Sequence, residues 1–209
     1  MSERPARYHG LESFLASATT QSPGNDDDGI SIQIPPQPGF INLRGNGADR
    51  EFVTAVVKVL GQELPVDTNT LTDKHHRVYW LGPDEWLIVT PYENTAEMYS
   101  RICDVLVVRP AAVTDVSGGN VLIRLAGDKA RDVLAKGCTL DFHRTSFQVG
   151  MCAQSGLAKA SILIGLVDDQ PVYEIIVRRS FSEYLVLWLQ SAAAEYGVTC
   201  AASESPALT

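Results

Sequence analysis

The sequence predicts an α+β protein made of two successive β-α-β-β-α units with antiparallel-rich sheets. Three observations predict it. Residues 77–81 (RVYWL) and 85–90 (EWLIVT) are strand-like runs joined by Gly82-Pro83-Asp84, a hairpin pattern. Between such runs, residues 50–60 and 94–106 repeat apolar side chains at helical spacing. The order of elements then starts again near Asn120.

Residues 1–39 differ from the rest. Residues 9–17 (HGLESFLAS) fit one short amphipathic turn, and the stretch up to Gly39 is rich in Pro, Gly, Asp and Ser. Such a segment buries too little apolar area to fold alone. It reads as an extended or flexible arm with apolar anchors at Leu11, Phe14, Leu15, Ile30, Ile32 and Ile34. Either the arm wraps a partner or it is a tail. The wrapping reading expects removal of residues 1–37 to weaken assembly and leave the body folded.

The first α+β unit covers residues 40–117. Residues 40–44 (FINLR) read as a strand, Asn46-Gly47 as a turn, and Asp49 as the N-cap of a helix over 50–60. Phe52, Val53, Val56, Val57 and Leu60 form its apolar face, and Gly61 ends it. The hairpin follows, then a second helix with Met98, Ile102, Val105 and Leu106 on one face, then a strand over 112–116. The second unit covers residues 118–198. It opens with a strand over 120–125 and a short helix over 129–135 capped by Gly127-Asp128. Strands follow over 152–159, 161–167 and 172–178. Ser180 caps a helix over 181–196, whose apolar face is Tyr184, Leu185, Leu187, Trp188, Leu189 and Ala192. Gly197 stops it, and residues 199–209 read as a loose tail.

Composition narrows the functions. The chain has 209 residues, 45% hydrophobic and 20% charged, which suffices for a packed core. Its formal charge of -8 disfavours nucleic acid and anionic lipid, and the longest basic cluster is Arg178-Arg179. No window approaches the roughly 20 apolar residues of a membrane span. Residues 1–20 lack the apolar core of a signal peptide, so a soluble cytoplasmic protein with free thiols is expected. Cys103, Cys138, Cys152 and Cys200 form no CxxC pair.

Candidate chemistry is sparse. Gly45-Asn46-Gly47 lacks the third glycine and the downstream acid of a dinucleotide fingerprint, and reads as a turn. Asp26-Asp27-Asp28 lacks the spacing of a calcium loop. His75-His76, Asp141 with His143, and Cys138 with His143 are each weak pairs that read as loops. Tyr79, Trp80, Trp86, Tyr173 and Trp188 read as core more readily than as a flavin or pterin platform. Arg178 and Arg179, at a strand-to-helix junction, suit a partner carboxylate or a solvated surface equally. No catalytic, cofactor-binding or metal-binding residue is assigned. Phe14, Ile32, Ile34, Arg178 and Arg179 are the candidate partner-interface residues.

Four strings carry a resemblance. They are LGPDEWLIV at residues 81–89, VTDVSGGNVLIRLAGDKARDVLAKGCTLDFH at 113–143, CAQSGLAKASILI at 152–164, and YEIIVRRSFSEYLVLWLQSAAAEYGV at 173–198. In this order and spacing they resemble the gamma-subunit family of heterotetrameric sarcosine oxidase. The stretch VSGGNVLIRLAGDKARDVL is also similar to the aminomethyltransferase (glycine-cleavage T protein) superfamily, which implies a duplicated α+β fold. The family's folate-site residues cannot be matched here. The resemblance implies an assembly of alpha, beta, gamma and delta subunits that oxidatively demethylates sarcosine. The products are glycine, hydrogen peroxide and formaldehyde, the last captured on tetrahydrofolate. It further implies FAD, FMN and NAD in the alpha and beta chains, zinc in delta, and a gamma chain without cofactor that contacts mainly alpha. Two other readings remain: a stand-alone folate-binding, aminomethyltransferase-like protein, and the same subunit in a related N-methyl amino acid dehydrogenase.

Overall fold

The structure, a computed structural model, describes Leu11 and residues 29–203. The predicted anchor Phe14 lies outside the described residues. Eleven strands and four α-helices are present among the described residues. In chain order they are β1 (Ile30–Ile34), β2 (Gly39–Arg44), α1 (Arg50–Leu60), β3 (Leu71–Asp73), β4 (Arg77–Gly82), β5 (Glu85–Thr90), α2 (Thr95–Leu106) and β6 (Ala112–Asp115). The second half continues with β7 (Asn120–Ala126), α3 (Ala130–Ala135), β8 (Cys152–Leu157), β9 (Ala160–Asp168), β10 (Val172–Arg178), α4 (Ser182–Ala193) and β11 (Val198–Ala202).

Local chemistry explains the element ends. The Asp49 carboxylate accepts the Glu51 N–H at 2.9 Å, satisfying an orphan donor of α1. Gly61 closes that helix in the left-handed conformation, φ 69°, which costs glycine little.

Two sheets form. One has five strands in the order β3-β4-β5-β2-β6, all antiparallel; the other has six, ordered β11-β1-β7-β10-β9-β8. Side chains alternate between their faces. On the outer face of the five-stranded sheet, Ile41, Leu43 and Trp86 pack with Phe52 and Val56 of α1 and Met98 and Ile102 of α2. On the outer face of the six-stranded sheet, Val121, Ile123 and Ile175 pack with Leu134 of α3 and Leu185 and Leu189 of α4. The inner faces meet through Phe40, Tyr79, Leu87 and Val89 on one side and Leu122, Cys152, Leu163 and Ile176 on the other. The layers therefore run helices, sheet, sheet, helices.

Gly165 on β9 marks a close approach of the sheets. A Cβ there would lie 2.7 Å from Leu71 Cδ2 and 2.8 Å from Tyr79 Cε1. Gly165→Ala is expected to destabilise the fold by about 1–3 kcal/mol through overpacking. The check is urea unfolding, with a lower midpoint at unchanged slope. A change below about 0.5 kcal/mol, the size of an ordinary surface substitution, would contradict this packing.

Several expectations are corrected. The arm does not extend to residue 39: residues 30–34 are β1, in the middle of the six-stranded sheet. Its ISIQI alternation turns Ile30, Ile32 and Ile34 onto the helix-covered face, where each is at most 1% exposed. Ile32 and Ile34 are therefore core residues and cannot act as partner-interface anchors. Leu11 is buried in the same core. The tail is not loose from residue 199, because β11 pairs in parallel with β1 and buries Val198 and Cys200. Ser180 does not cap α4, which starts at Ser182 after a 3-10 turn; the Ser182 hydroxyl donates to the Arg179 carbonyl at 2.8 Å. On α4, Val186 is buried in place of the expected Leu187, which is 50% exposed.

Candidate functional site

The inner faces carry two buried charged residues that the sequence reading missed, Glu174 and Arg77. Glu174, in the middle of β10, is fully buried, and its carboxylate gathers three side chains. The Tyr79 hydroxyl donates to Oε2 at 2.7 Å, Arg124 Nε donates to Oε1 at 3.0 Å, and Arg77 pairs with the same oxygen. Arg77 also reaches the Asp73 carboxylate at 2.5 Å. Arg124 sits opposite Glu174 on β7, whereas Arg77 and Tyr79 come from β4 of the other sheet. Two guanidiniums and a phenol thus tie the sheets together across their interface. Burial works against the Arg77 charge, but Glu174, Tyr79 and Asp73 outweigh it and hold the guanidinium above its usual pKa. Burial, followed by the neighbouring Glu174 carboxylate, raises the Tyr79 phenol well above its ordinary value. Both carboxylate oxygens already accept strong hydrogen bonds, so the cluster acts as a strut.

At one end the sheets part and leave a cleft of about 710 Å³. Asn42, Glu85, Leu87, Thr114 and Val116 line it from the five-stranded sheet, and Gln154, Ser161, Leu163, Ile176 and Arg178 from the six-stranded one. Much of its polar lining is engaged within the chain. Asn42 donates to Glu85 at 2.8 Å, Gln154 spans to the Leu81 carbonyl at 2.9 Å, and Asn120 donates to the Val116 carbonyl at 3.1 Å. Arg178 lies at the cleft and is exposed; Arg179 is half-buried at the turn before α4.

The weak pairs of the sequence separate. Cys138 Sγ contacts the Ser155 hydroxyl at 3.5 Å, while the His143 ring meets Thr145 Oγ1 at 2.8 Å. Asp141 accepts the His143 backbone N–H at 2.9 Å, an Asx turn and not a side-chain dyad. The backbone N–H groups of His75 and His76 both donate to Gln62 Oε1 at 2.8 Å, which pins the loop. Burial pushes the Cys152 thiol up to about 12, far from a reactive thiolate. All four cysteines are free thiols.

The aromatic residues pack into the protein. Trp86 is buried against Phe52, and its indole N–H donates to the Pro65 carbonyl at 2.8 Å. Tyr173 packs with Phe142 and Phe147. The glycines of the Gly45-Asn46-Gly47 turn serve packing, because a Cβ on Gly45 would lie 2.3 Å from the Phe52 ring and one on Gly47 2.9 Å from the Pro83 carbonyl. The protein's own side chains fill that space. Among the described residues no three His, Cys, Asp or Glu side chains converge as a metal site. None of the helices described is long and apolar enough to cross a membrane.

These features define a class: a duplicated α+β sandwich of two helix-backed sheets, braced internally by a buried ionic cluster. The chain belongs to the sarcosine oxidase, gamma subunit family, whose sequence pattern matches residues 44–195. It is 32% identical over 165 residues to sarcosine oxidase subunit gamma of Corynebacterium sp. (strain P-1), covering 79% of each chain. Among solved structures it is similar to a chain of heterotetrameric sarcosine oxidase from Corynebacterium sp. U-96 in complex with pyrrole 2-carboxylate. That likeness has a TM-score of 0.82 at 25% identity, over 91% of this chain and 96% of that one. It is also similar to glycine cleavage system aminomethyltransferase T from Bartonella henselae, with a TM-score of 0.63 at 14% identity over 84% of this chain and 48% of that one. This second likeness concerns the fold alone, and it agrees with the aminomethyltransferase-like architecture expected from the sequence.

Proposed function

We propose that this chain is the assembly subunit of a heterotetrameric sarcosine oxidase and has no active site of its own. The observation that carries the reading is the near full-length likeness to one chain of such a heterotetramer. The saturated Glu174 carboxylate agrees with it, because that buried acid serves cohesion between the sheets. On this reading the complex demethylates sarcosine to glycine with hydrogen peroxide and formaldehyde, in the cytoplasm. FAD, FMN, NAD and zinc reside in the alpha, beta and delta subunits, and tetrahydrofolate captures the formaldehyde there. The gamma chain contacts mainly alpha.

Two measurements test this. Light scattering with a visible absorbance trace is expected to show a colourless chain alone and a large yellow complex after co-expression with the other subunits. A solitary chain that stays out of any flavin complex and binds tetrahydrofolate would favour the stand-alone folate-handling reading. In the assembled enzyme, replacing Cys138, His143 and His75 together by Ala is expected to keep turnover within a few-fold. A loss near 10³, the scale for removing a key transition-state group, would overturn the non-catalytic assignment.

A further inference from the structure

The two halves repeat one order of elements, and among the described residues one strand position of the repeat is unfilled. β2, α1, β3, β4, β5 and α2 correspond in order to β7, α3, β8, β9, β10 and α4. The sheet orders match as well, β3-β4-β5-β2 against β8-β9-β10-β7. Beside β2 lies β6, and beside β7 lies β1, antiparallel in both cases. Beyond β1 the six-stranded sheet adds β11; beyond β6 the five-stranded sheet has no further strand among the described residues.

The outer edge of β6 is ready for pairing. The Val116 N–H donates to the Phe40 carbonyl at 2.9 Å. With Thr114 opposite Asn42 and Ala112 opposite Arg44, that bond fixes which residues of β6 point their backbone groups at β2: every second one, ending at Val116. Val113 and Asp115 therefore direct their N–H and C=O groups outward. The strand has no proline, no lysine and no register shift; its four-residue length and Asp115 are what guard it against indiscriminate pairing. The turn leading into it carries Val107 and Val108, 80% and 85% exposed.

The cleft adds selectivity to this edge. Thr114 lines it, so a strand laid beside β6 places every second side chain over the cleft. Arg178 waits there, with Nη1 3.4 Å from the Cβ position of Gly119 in the turn that leaves β6. Arg178 is exposed and makes no ion pair among the described residues. An open edge beside a side-chain pocket is the arrangement of β-strand addition, in which main-chain bonds give affinity and alternate side chains give specificity.

We propose that an extended segment of a partner subunit docks on β6 as the sixth strand of this sheet and sets an acidic side chain against Arg178. The inference rests on the assembly role proposed above. The net charge of -8 opposes a second copy of the chain as occupant; among the described residues Arg178 is the one cation lining the cleft, and with the cleft's Glu85 already held by Asn42 it calls for an acid. The chain's own C-terminal strand already occupies the other sheet.

The test uses the co-expressed complex. Hydrogen exchange is expected to show the Val113 and Asp115 amides protected at least tenfold more in the complex than in the free chain. Val113→Pro removes an outward N–H without touching a bond to β2, a position where edge strands tolerate proline. Val113→Pro and Arg178→Glu are each expected to weaken assembly at least tenfold. Equal exchange in both states, or undiminished assembly of both variants, overturns the proposal and leaves the assembly role standing. If Val113→Pro fails to fold, Arg178→Glu and the exchange data decide. A wild-type chain that enters no complex overturns both readings, and a β6-dependent homodimer overturns the choice of occupant.

Discussion

Removing residues 1–37 is expected to unfold the six-stranded half of the protein. The truncation deletes β1, and with it Ile30, Ile32 and Ile34, all buried on the face that meets α3 and α4. At about 1.5–3 kcal/mol for each large aliphatic side chain, the loss is roughly 5–9 kcal/mol, an upper bound because unfolded chains already bury some surface. That matches the whole stability of an ordinary domain, about 5–15 kcal/mol. The damage extends further, since among the described strands β11 pairs with β1 alone and the outer edge of β7 would be stripped. The check is a thermal melt followed by circular dichroism. A truncated chain that melts cooperatively within a few degrees of the full chain would contradict the buried role of β1. The milder Ile32→Ala is expected to leave a folded protein destabilised by about 2–5 kcal/mol.

Glu174→Ala is expected to cost about 3–5 kcal/mol, because it removes the fully buried partner of Arg77 and leaves that guanidinium the half-exposed Asp73 carboxylate. Arg124, only 18% exposed at its side chain, loses the same partner. A triple change of Glu174, Arg77 and Arg124 to Leu, Met and Leu is expected to recover much of that loss, since well-packed apolar groups often replace a buried ion cluster without penalty. The two proteins are compared by urea unfolding. A single variant within about 1 kcal/mol of wild type would mean that the cluster does not brace the interface. Equal destabilisation by the single and triple changes would mean that shape, and not charge pairing, governs the site.

The sequence made the local features legible and the distant ones opaque. The hairpin at Gly82-Pro83-Asp84, the cap at Asp49 and the stop at Gly61 each depend on residues a few positions apart. They could be read directly. The ISIQI run had the alternation of a strand, but its Pro- and Gly-rich surroundings made it look like an arm. Its partners, β7 and β11, lie in the other half of the chain. The same distance hid Glu174. A carboxylate in mid-strand in VYEIIVR and an arginine in mid-strand in NVLIRLA are the available signals, and they predict burial only once the two strands are known to be neighbours. The site expectations split in the same way. Arg178 stands at the cleft, whereas Ile32 and Ile34 serve the chain's own core.

The parallel pairing of β1 with β11 also imposes a schedule on biosynthesis. Ile30 pairs with Val198, so a strand made early waits for one made much later. The five-stranded sheet has all its strands once residue 115 has left the ribosome, and it can form while translation continues. The six-stranded sheet cannot be completed until β11 has been made, and it closes through contacts of long sequence separation that slow folding. Until then the nascent chain carries three unburied isoleucines next to a finished half, and ribosome stalling before residue 198 should leave that species open to chaperones and proteases.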